Sequence, residues 1–85
     1  MVIDPKHLEL LRLFDEYGSV TAVADVTYRS PSAVSQQLRQ AGSEIGHALV
    51  EPAGRGLMLT AAGRLLADGG RDVARTLARV QAQWE

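Results

Sequence analysis

Short hydrogen-bonding side chains are concentrated in residues 30–40, which run Ser-Pro-Ser-Ala-Val-Ser-Gln-Gln-Leu-Arg-Gln. Ser32, Ser35 and Gln36 offer donors and acceptors that are short enough to approach base edges in the major groove of DNA. Arg39 follows one turn beyond Ser35 and suits a phosphate or a guanine. A solvated helix surface is the alternative interpretation, but such surfaces usually carry Glu and Lys. The pattern therefore favours recognition of DNA bases.

A second cationic candidate is Arg55, which stands between Gly54 and Gly56. Glycines allow the backbone to approach a ligand closely, and an arginine there can enter a minor groove or bind a phosphate. A flexible-loop arginine without a partner is an equally good interpretation of this tripeptide alone.

Catalytic and metal chemistry find little support in the sequence. His7 and His47 are the only histidines, and there is no cysteine, so the usual zinc and disulfide patterns are absent. Neither a strained nucleophile turn nor a phosphate-binding glycine loop is recognisable. We predict no enzyme activity, no metal site and no cofactor, and we interpret both histidines as surface or boundary residues.

Charge and hydropathy indicate whether the chain can bind a nucleic acid or enter a membrane. The net charge is −1, yet residues 29–64 hold four arginines against two glutamates, a net +2. Positive charge in the middle of the chain can steer a nucleic acid only modestly. The sequence contains neither a run of about 18 apolar residues nor a signal-peptide pattern. We therefore expect a cytoplasmic protein that does not enter a membrane.

The elements that must position these side chains follow from helix start and stop signals. Asp4-Pro5 and Gly18 bound a first helix over residues 5–17. Ser19 caps a short second helix, and residues 27–29 form a turn. Ser30 then caps a third helix that starts at Pro31 and ends before Gly46. Two helices joined by a short turn predict a helix-turn-helix.

After residue 46 the pattern changes to two short strands, at 48–50 and 57–59, joined by turn residues 52–56. Thr60 caps a long last helix over about 61–83. We predict a mainly α fold, a winged helix-turn-helix with a two-stranded β-hairpin wing and a long C-terminal linker helix. Residues 1–60 would form the DNA-binding domain and residues 61–85 the linker and dimerisation helix.

The last helix carries apolar residues in a pattern typical of a coiled coil. These residues follow one another at spacings of 7, 4, 3 and 4: Leu66, Val73, Leu77, Val80 and Trp84. Gly70 occupies the one heptad position between Leu66 and Val73 where an apolar side chain is missing. Gly69 and Gly70 should each cost the helix about 1 kcal/mol relative to Ala. The pattern predicts a homodimer through this helix.

Taken in order, these motifs resemble the N-terminal winged helix-turn-helix domain of LysR-type transcriptional regulators. The resemblance covers nearly the whole chain and is carried by the following segments: Leu8-x-x-Leu11-x-x-Phe14, Gly18-Ser19-Val20-Thr21-x-Val23-Ala24, Ser30-x-Ser32-Ala33-Val34-Ser35, Ile45-Gly46-x-x-Leu49-Val50-Glu51, Gly54-Arg55 and Leu59-Thr60-x-Ala62-Gly63.

The resemblance implies binding to double-stranded DNA as a dimer. In the family, DNA is bound by the start of helix 3, the start of helix 2 and the wing, positions that fall here on Pro31, Ser32, Ser35 and Gln36, on Thr21, and on Arg55. Ser30 and Arg39 complete our set of DNA-binding candidates. A small-molecule effector would act through a domain outside these 85 residues.

Several positions depart from the family pattern. Pro31 stands where Gln is frequent, Thr27 where Leu usually packs, and Pro52 where Arg is frequent at the base of the wing. Ala41-Gly42 replaces a Leu-Glu pair late in helix 3, which we expect to weaken that helix. Lost phosphate contacts would lower DNA affinity. The competing hypothesis is therefore a winged-helix module that binds protein, or only dimerises, without specific DNA binding.

Overall fold

The computed structural model describes residues 2–84. Within that range the elements are α1 (Pro5–Tyr17), α2 (Val20–Thr27), α3 (Pro31–Ile45), β1 (Val50–Ala53), β2 (Gly56–Leu59) and α4 (Ala61–Trp84). The strands form an antiparallel hairpin between α3 and α4. This order confirms the predicted winged helix-turn-helix.

Side-chain caps set the predicted starts of the helices. The carboxylate of Asp4 accepts a hydrogen bond from the backbone N–H of residue 6 at 2.8 Å, and the hydroxyls of Ser19 and Ser30 each accept one from the N–H three residues on at 3.1 Å. Thr60 does the same for α4, again at 3.1 Å. Each cap satisfies an N–H group that the first turn of a helix leaves unpaired. The helix starts were therefore predictable from local sequence.

The turn between α2 and α3 is shorter than predicted, because Thr27 belongs to α2. The Thr27 hydroxyl donates to the carbonyl of Val23 at 2.7 Å, which keeps this polar residue inside the helix. Tyr28 follows in the left-handed conformation, with φ +56°, and its side chain is 96% exposed. Its backbone N–H donates to the carbonyl of Ala24 and closes α2.

The hairpin also begins later than predicted. β1 covers 50–53 rather than 48–50, with Val50 opposite Leu59 and Ala53 opposite Gly56. Pro52, which the sequence suggested was a turn residue, lies inside β1; a two-stranded sheet has only edge strands, where proline is tolerated. Residues 48 and 49, which precede β1, are held by Thr60 instead of by strand pairing. The Thr60 hydroxyl donates to the carbonyl of residue 48 at 2.6 Å, and its N–H donates to that of residue 49 at 3.1 Å.

The core is aliphatic except for Phe14, and it joins the helices to the hairpin. Its largest fully buried side chains are Leu11, Leu38, Leu49, Val23 and Val34. α1 packs along α4, and α2 packs against α3. The first half of α4 contributes Leu66 and Ala67 to this core, so it is part of the same packed unit as α1–α3.

Three glycines allow backbones to approach each other where a side chain would collide. An added Cβ would lie 2.1 Å from the carbonyl oxygen of Leu49 at Gly63 and 2.3 Å from that of Leu8 at Gly70. At Gly42 it would lie 2.9 Å from the carbonyl oxygen of His47. Our expectation that Gly42 only weakens α3 was therefore incomplete, because this glycine lets the chain fold back beneath the end of the helix.

Candidate nucleic-acid interface

The outer surface of α3 is a stripe of polar side chains. Ser32, Gln36, Arg39 and Ser43 are spaced by 4, 3 and 4 residues, so they share one side of the helix. All four are exposed, and they lie opposite the buried positions of α3, including Val34, Leu38 and Ala41. We call these four residues the α3 outer stripe. Ser35 lies at its border and is partly buried, so it is less accessible than we predicted.

Ser30 and Pro31 build the exposed start of α3. The Ser30 hydroxyl accepts the N–H of Ala33 and lies 3.3 Å from the hydroxyl of Ser32. Its acceptor capacity is thus partly used inside the helix, so it positions the first turn as well as facing solvent. Pro31 fixes the first helical residue without an unpaired N–H.

The two other sequence candidates are exposed at the ends of short elements. Thr21 lies in the first turn of α2, whose N-terminus is capped by Ser19. Arg55 lies at the tip of the hairpin, directly after Gly54, which adopts φ +59°. The hairpin therefore presents Arg55 to solvent on a turn of only two residues.

Carboxylates pair with several of the arginines of α1 and α4. Arg12 pairs with Glu9 and Glu16, and the hydrogen bond that it donates to Glu9 is the main reason why its pKa is raised. Hydrogen bonds with Asp15 and Asp68 likewise raise the pKa of Arg71. Both guanidinium groups remain charged, but carboxylates of the same chain already accept their hydrogen bonds.

Arg39 and Arg55, by contrast, are exposed and make no ion pair or side-chain hydrogen bond with any residue between 2 and 84. An unpaired guanidinium keeps all of its donors for phosphate or base oxygens. Positive charge on α3 and at the wing is therefore available to an external anion.

The predicted dimerisation residues separate into two groups. Leu66 is only 6% exposed because it packs in the core of its own chain, so it cannot serve as an open contact. Val73, Leu77, Val80 and Trp84, which we call the α4 stripe, are exposed by 40, 55, 53 and 91%. The exposed part of the heptad pattern thus begins at Val73, one heptad later than we predicted.

No group of three potential metal ligands occurs among residues 2–84, and no helix in that range is long and apolar enough to cross a membrane. His7 forms a single pair with Glu44, whose carboxylate lies 3.0 Å from the imidazole Nε2.

Known proteins resemble this chain in both sequence and fold. Residues 5–64 match the family described as "Bacterial regulatory helix-turn-helix protein, lysR family". The chain belongs to the lysR family. A RuBisCO operon transcriptional regulator from Allochromatium vinosum is 35% identical over 77 residues, which are 87% of this chain and 26% of that protein.

Solved structures of the same family have the same fold. Full-length LysG from Corynebacterium glutamicum superimposes with a TM-score of 0.84 at 28% identity, over 98% of this chain and 29% of LysG. The CbnR DNA-binding domain in complex with DNA gives 0.76 at 24% identity, over 94% of this chain and 92% of that domain. The chain therefore spans between a quarter and a third of the full-length relatives.

Proposed function

We propose that this chain is the sequence-specific, double-stranded-DNA-binding portion of a dimeric transcriptional regulator. The observation that carries the proposal is the α3 outer stripe, which presents hydroxyl, amide and guanidinium groups opposite the core. Positive charge comes from unpaired Arg39 within the stripe and from unpaired Arg55 at the tip of the wing. Membership of a family of helix-turn-helix regulators supports the same function.

In the proposed complex the N-terminal half of α3 enters the major groove. Ser32 and Gln36 bind base edges there, and a glutamine can bind an adenine with two hydrogen bonds. Ser30, Pro31 and Ser35 shape the first turns of that helix. Thr21, at the start of α2, binds the phosphate backbone, and Arg55 binds it or the adjacent minor groove.

The proposal includes a homodimer through the α4 stripe, because four neighbouring apolar side chains are otherwise left in water. It also includes the cytoplasm as the place of action, no enzyme activity, and a small-molecule effector that acts only through a domain outside this chain. The fold of this chain has been seen on DNA in the CbnR and BenM complexes, which are 24% and 20% identical to it.

A selection from random duplexes, followed by anisotropy titrations on the selected site, tests the proposal. We expect Gln36→Ala to weaken the selected site and to relax the preference at one base pair, by about 1–3 kcal/mol. Arg55→Ala should weaken all duplexes and lower the salt dependence by about one counterion. Lys6→Ala removes an equal charge from exposed α1 and serves as the matched control.

The alternative is a winged-helix module that binds protein or only dimerises. It predicts no affinity for random duplex even at low salt, because it lacks phosphate contacts. The comparisons do not favour it, since the matched family is one of regulatory helix-turn-helix proteins. Failure of the parent chain to bind any duplex at low salt would establish the alternative and reject the proposal.

A further inference from the structure

A hollow of about 340 Å³ lies between the last turns of α3 and the start of β1. The polar side chains in its lining are those of Arg39, Ser43 and His47. We propose that this hollow binds a phosphodiester group of duplex DNA, with these three side chains as donors. The inference rests on the proposed DNA-binding function and extends it to two residues that no sequence pattern singles out.

A glycine at the end of α3 helps to keep the hollow open. Gly46 belongs to the lining, and a Cβ added there would meet nothing within 4 Å, so the space beside it is free. Gly46 also ends α3 in the left-handed conformation, with φ +88°, and turns the chain so that His47 follows directly beside the helix. A group as large as a phosphate thus reaches the donors without displacing the core.

The electrostatics of the lining favour an anion. It contains one guanidinium, one hydroxyl and one imidazole, and no carboxylate. The nearest acidic residues on the adjoining elements are Glu44 of α3 and Glu51 of β1, and neither belongs to the lining. Glu44 instead binds His7 and Gln40, on the α1 side of the helix.

The end of α3 does not oppose an anion as strongly as a free helix C-terminus would. The carbonyl of Gly42 accepts hydrogen bonds from the N–H groups of Gly46 and His47, at 2.8 and 3.1 Å. A carbonyl that is already occupied contributes less negative potential at the surface. The bonded carbonyl of Gly42 thus reduces the negative potential at this end of α3, and the side-chain donors of the hollow offset what remains.

The position of the hollow fits a backbone contact rather than a base contact. Arg39 and Ser43 continue the α3 outer stripe, and Ser43 lies eleven residues after Ser32, about 16 Å along the helix axis. The major groove is only about 12 Å wide. A helix that enters the groove at Ser32 has therefore reached the sugar-phosphate backbone by Ser43.

The test uses His47→Ala and Ser43→Ala in the 85-residue chain, titrated with the selected duplex. Each variant removes one hydrogen-bond donor from the hollow, so we expect about a two- to fivefold loss of affinity. His7→Gln is the matched control for the loss of an imidazole elsewhere, because His7 faces Glu44 on the α1 side, and it should bind like the parent chain.

Substituting single phosphates of the duplex by neutral methylphosphonates locates the contact. Neutralising one phosphate beyond the bases bound by α3 should lower the affinity of the parent chain, and it should lower that of His47→Ala less. If the parent binds the duplex but both variants bind it equally well, the hollow is not a phosphate site and the proposed function still stands. If the parent binds no duplex, both proposals fall.

Discussion

Gly69 and Gly70 are adjacent in α4, yet their surroundings differ sharply. A Cβ added at Gly69 would meet only a methyl group of Leu8, at 3.6 Å, which is an ordinary contact. A Cβ at Gly70 would lie 2.3 Å from the carbonyl oxygen of Leu8 and 3.0 Å from the Cβ of Arg12. Neither glycine has a positive φ, so alanine fits the backbone at both positions. Substitution of each by alanine should therefore shift stability in opposite directions.

Helix propensity gives both alanine variants the same gain of about 1 kcal/mol. Gly69→Ala keeps that gain, which corresponds to a rise in Tm of about 4–8 °C for a domain of this size. Gly70→Ala must also move α1 away from α4, because 2.3 Å is about 1.1 Å short of the 3.4 Å at which ordinary contact begins. Overpacking costs about 1–3 kcal/mol, and a backbone carbonyl cannot rotate aside as a side chain does.

An overlap with a backbone carbonyl belongs at the upper end of that cost, about 3 kcal/mol, and the propensity gain of about 1 kcal/mol reduces it to a net loss of about 2 kcal/mol. The corresponding fall in Tm is about 8 °C or more. Thermal unfolding followed by circular dichroism measures both shifts, at one protein concentration because a dimer makes Tm depend on concentration. A Gly70→Ala chain as stable as the parent would refute the close approach of α1 and α4. So would equal shifts for the two variants, since propensity alone would then explain them.

Two further changes test other parts of the molecule. Leu77→Ala and Trp84→Ala should each lower self-association in analytical ultracentrifugation. Leu65→Ala should not, although it removes a leucine that is more exposed than Leu77, because Leu65 lies outside the α4 stripe. A monomeric parent chain would contradict the dimer. Tyr28→Asn should raise the free energy of unfolding by up to about 1 kcal/mol, because asparagine tolerates φ +56° and the exposed tyrosine ring loses no packing. Urea unfolding measures this shift, and an unchanged or lower value would show that the tyrosine ring has a stabilising contact.

Features that depend on neighbouring residues in the chain were predictable from sequence. The caps at Asp4, Ser19, Ser30 and Thr60 each bind an N–H two or three residues away. The α3 outer stripe follows from helical periodicity in the same way. These signals fixed the fold class and the placement of most candidate residues.

Features that depend on distant segments were not predictable. Leu66 fits a heptad pattern, but a heptad does not tell whether its partner is another subunit or α1 of the same chain. Gly42 looked like a weak point because the chain that returns beneath it is invisible in the sequence. His47 belongs to no recognisable sequence motif. It lines the same hollow as Arg39 and Ser43 only because α3 ends at Gly46.

The two halves of α4 have different environments: the first half packs in the core, and the second half is exposed. Leu66 and Gly70 are buried against the same chain, whereas Leu77 and Trp84, on the same side of the helix, are exposed. One continuous helix joins them, with no break from residue 61 to 84. A partner that covers the α4 stripe is thus held at a fixed position relative to the core that carries α3. Within a symmetric pair, the separation of the two α3 helices is then set by α4, and the spacing of DNA half-sites follows from it.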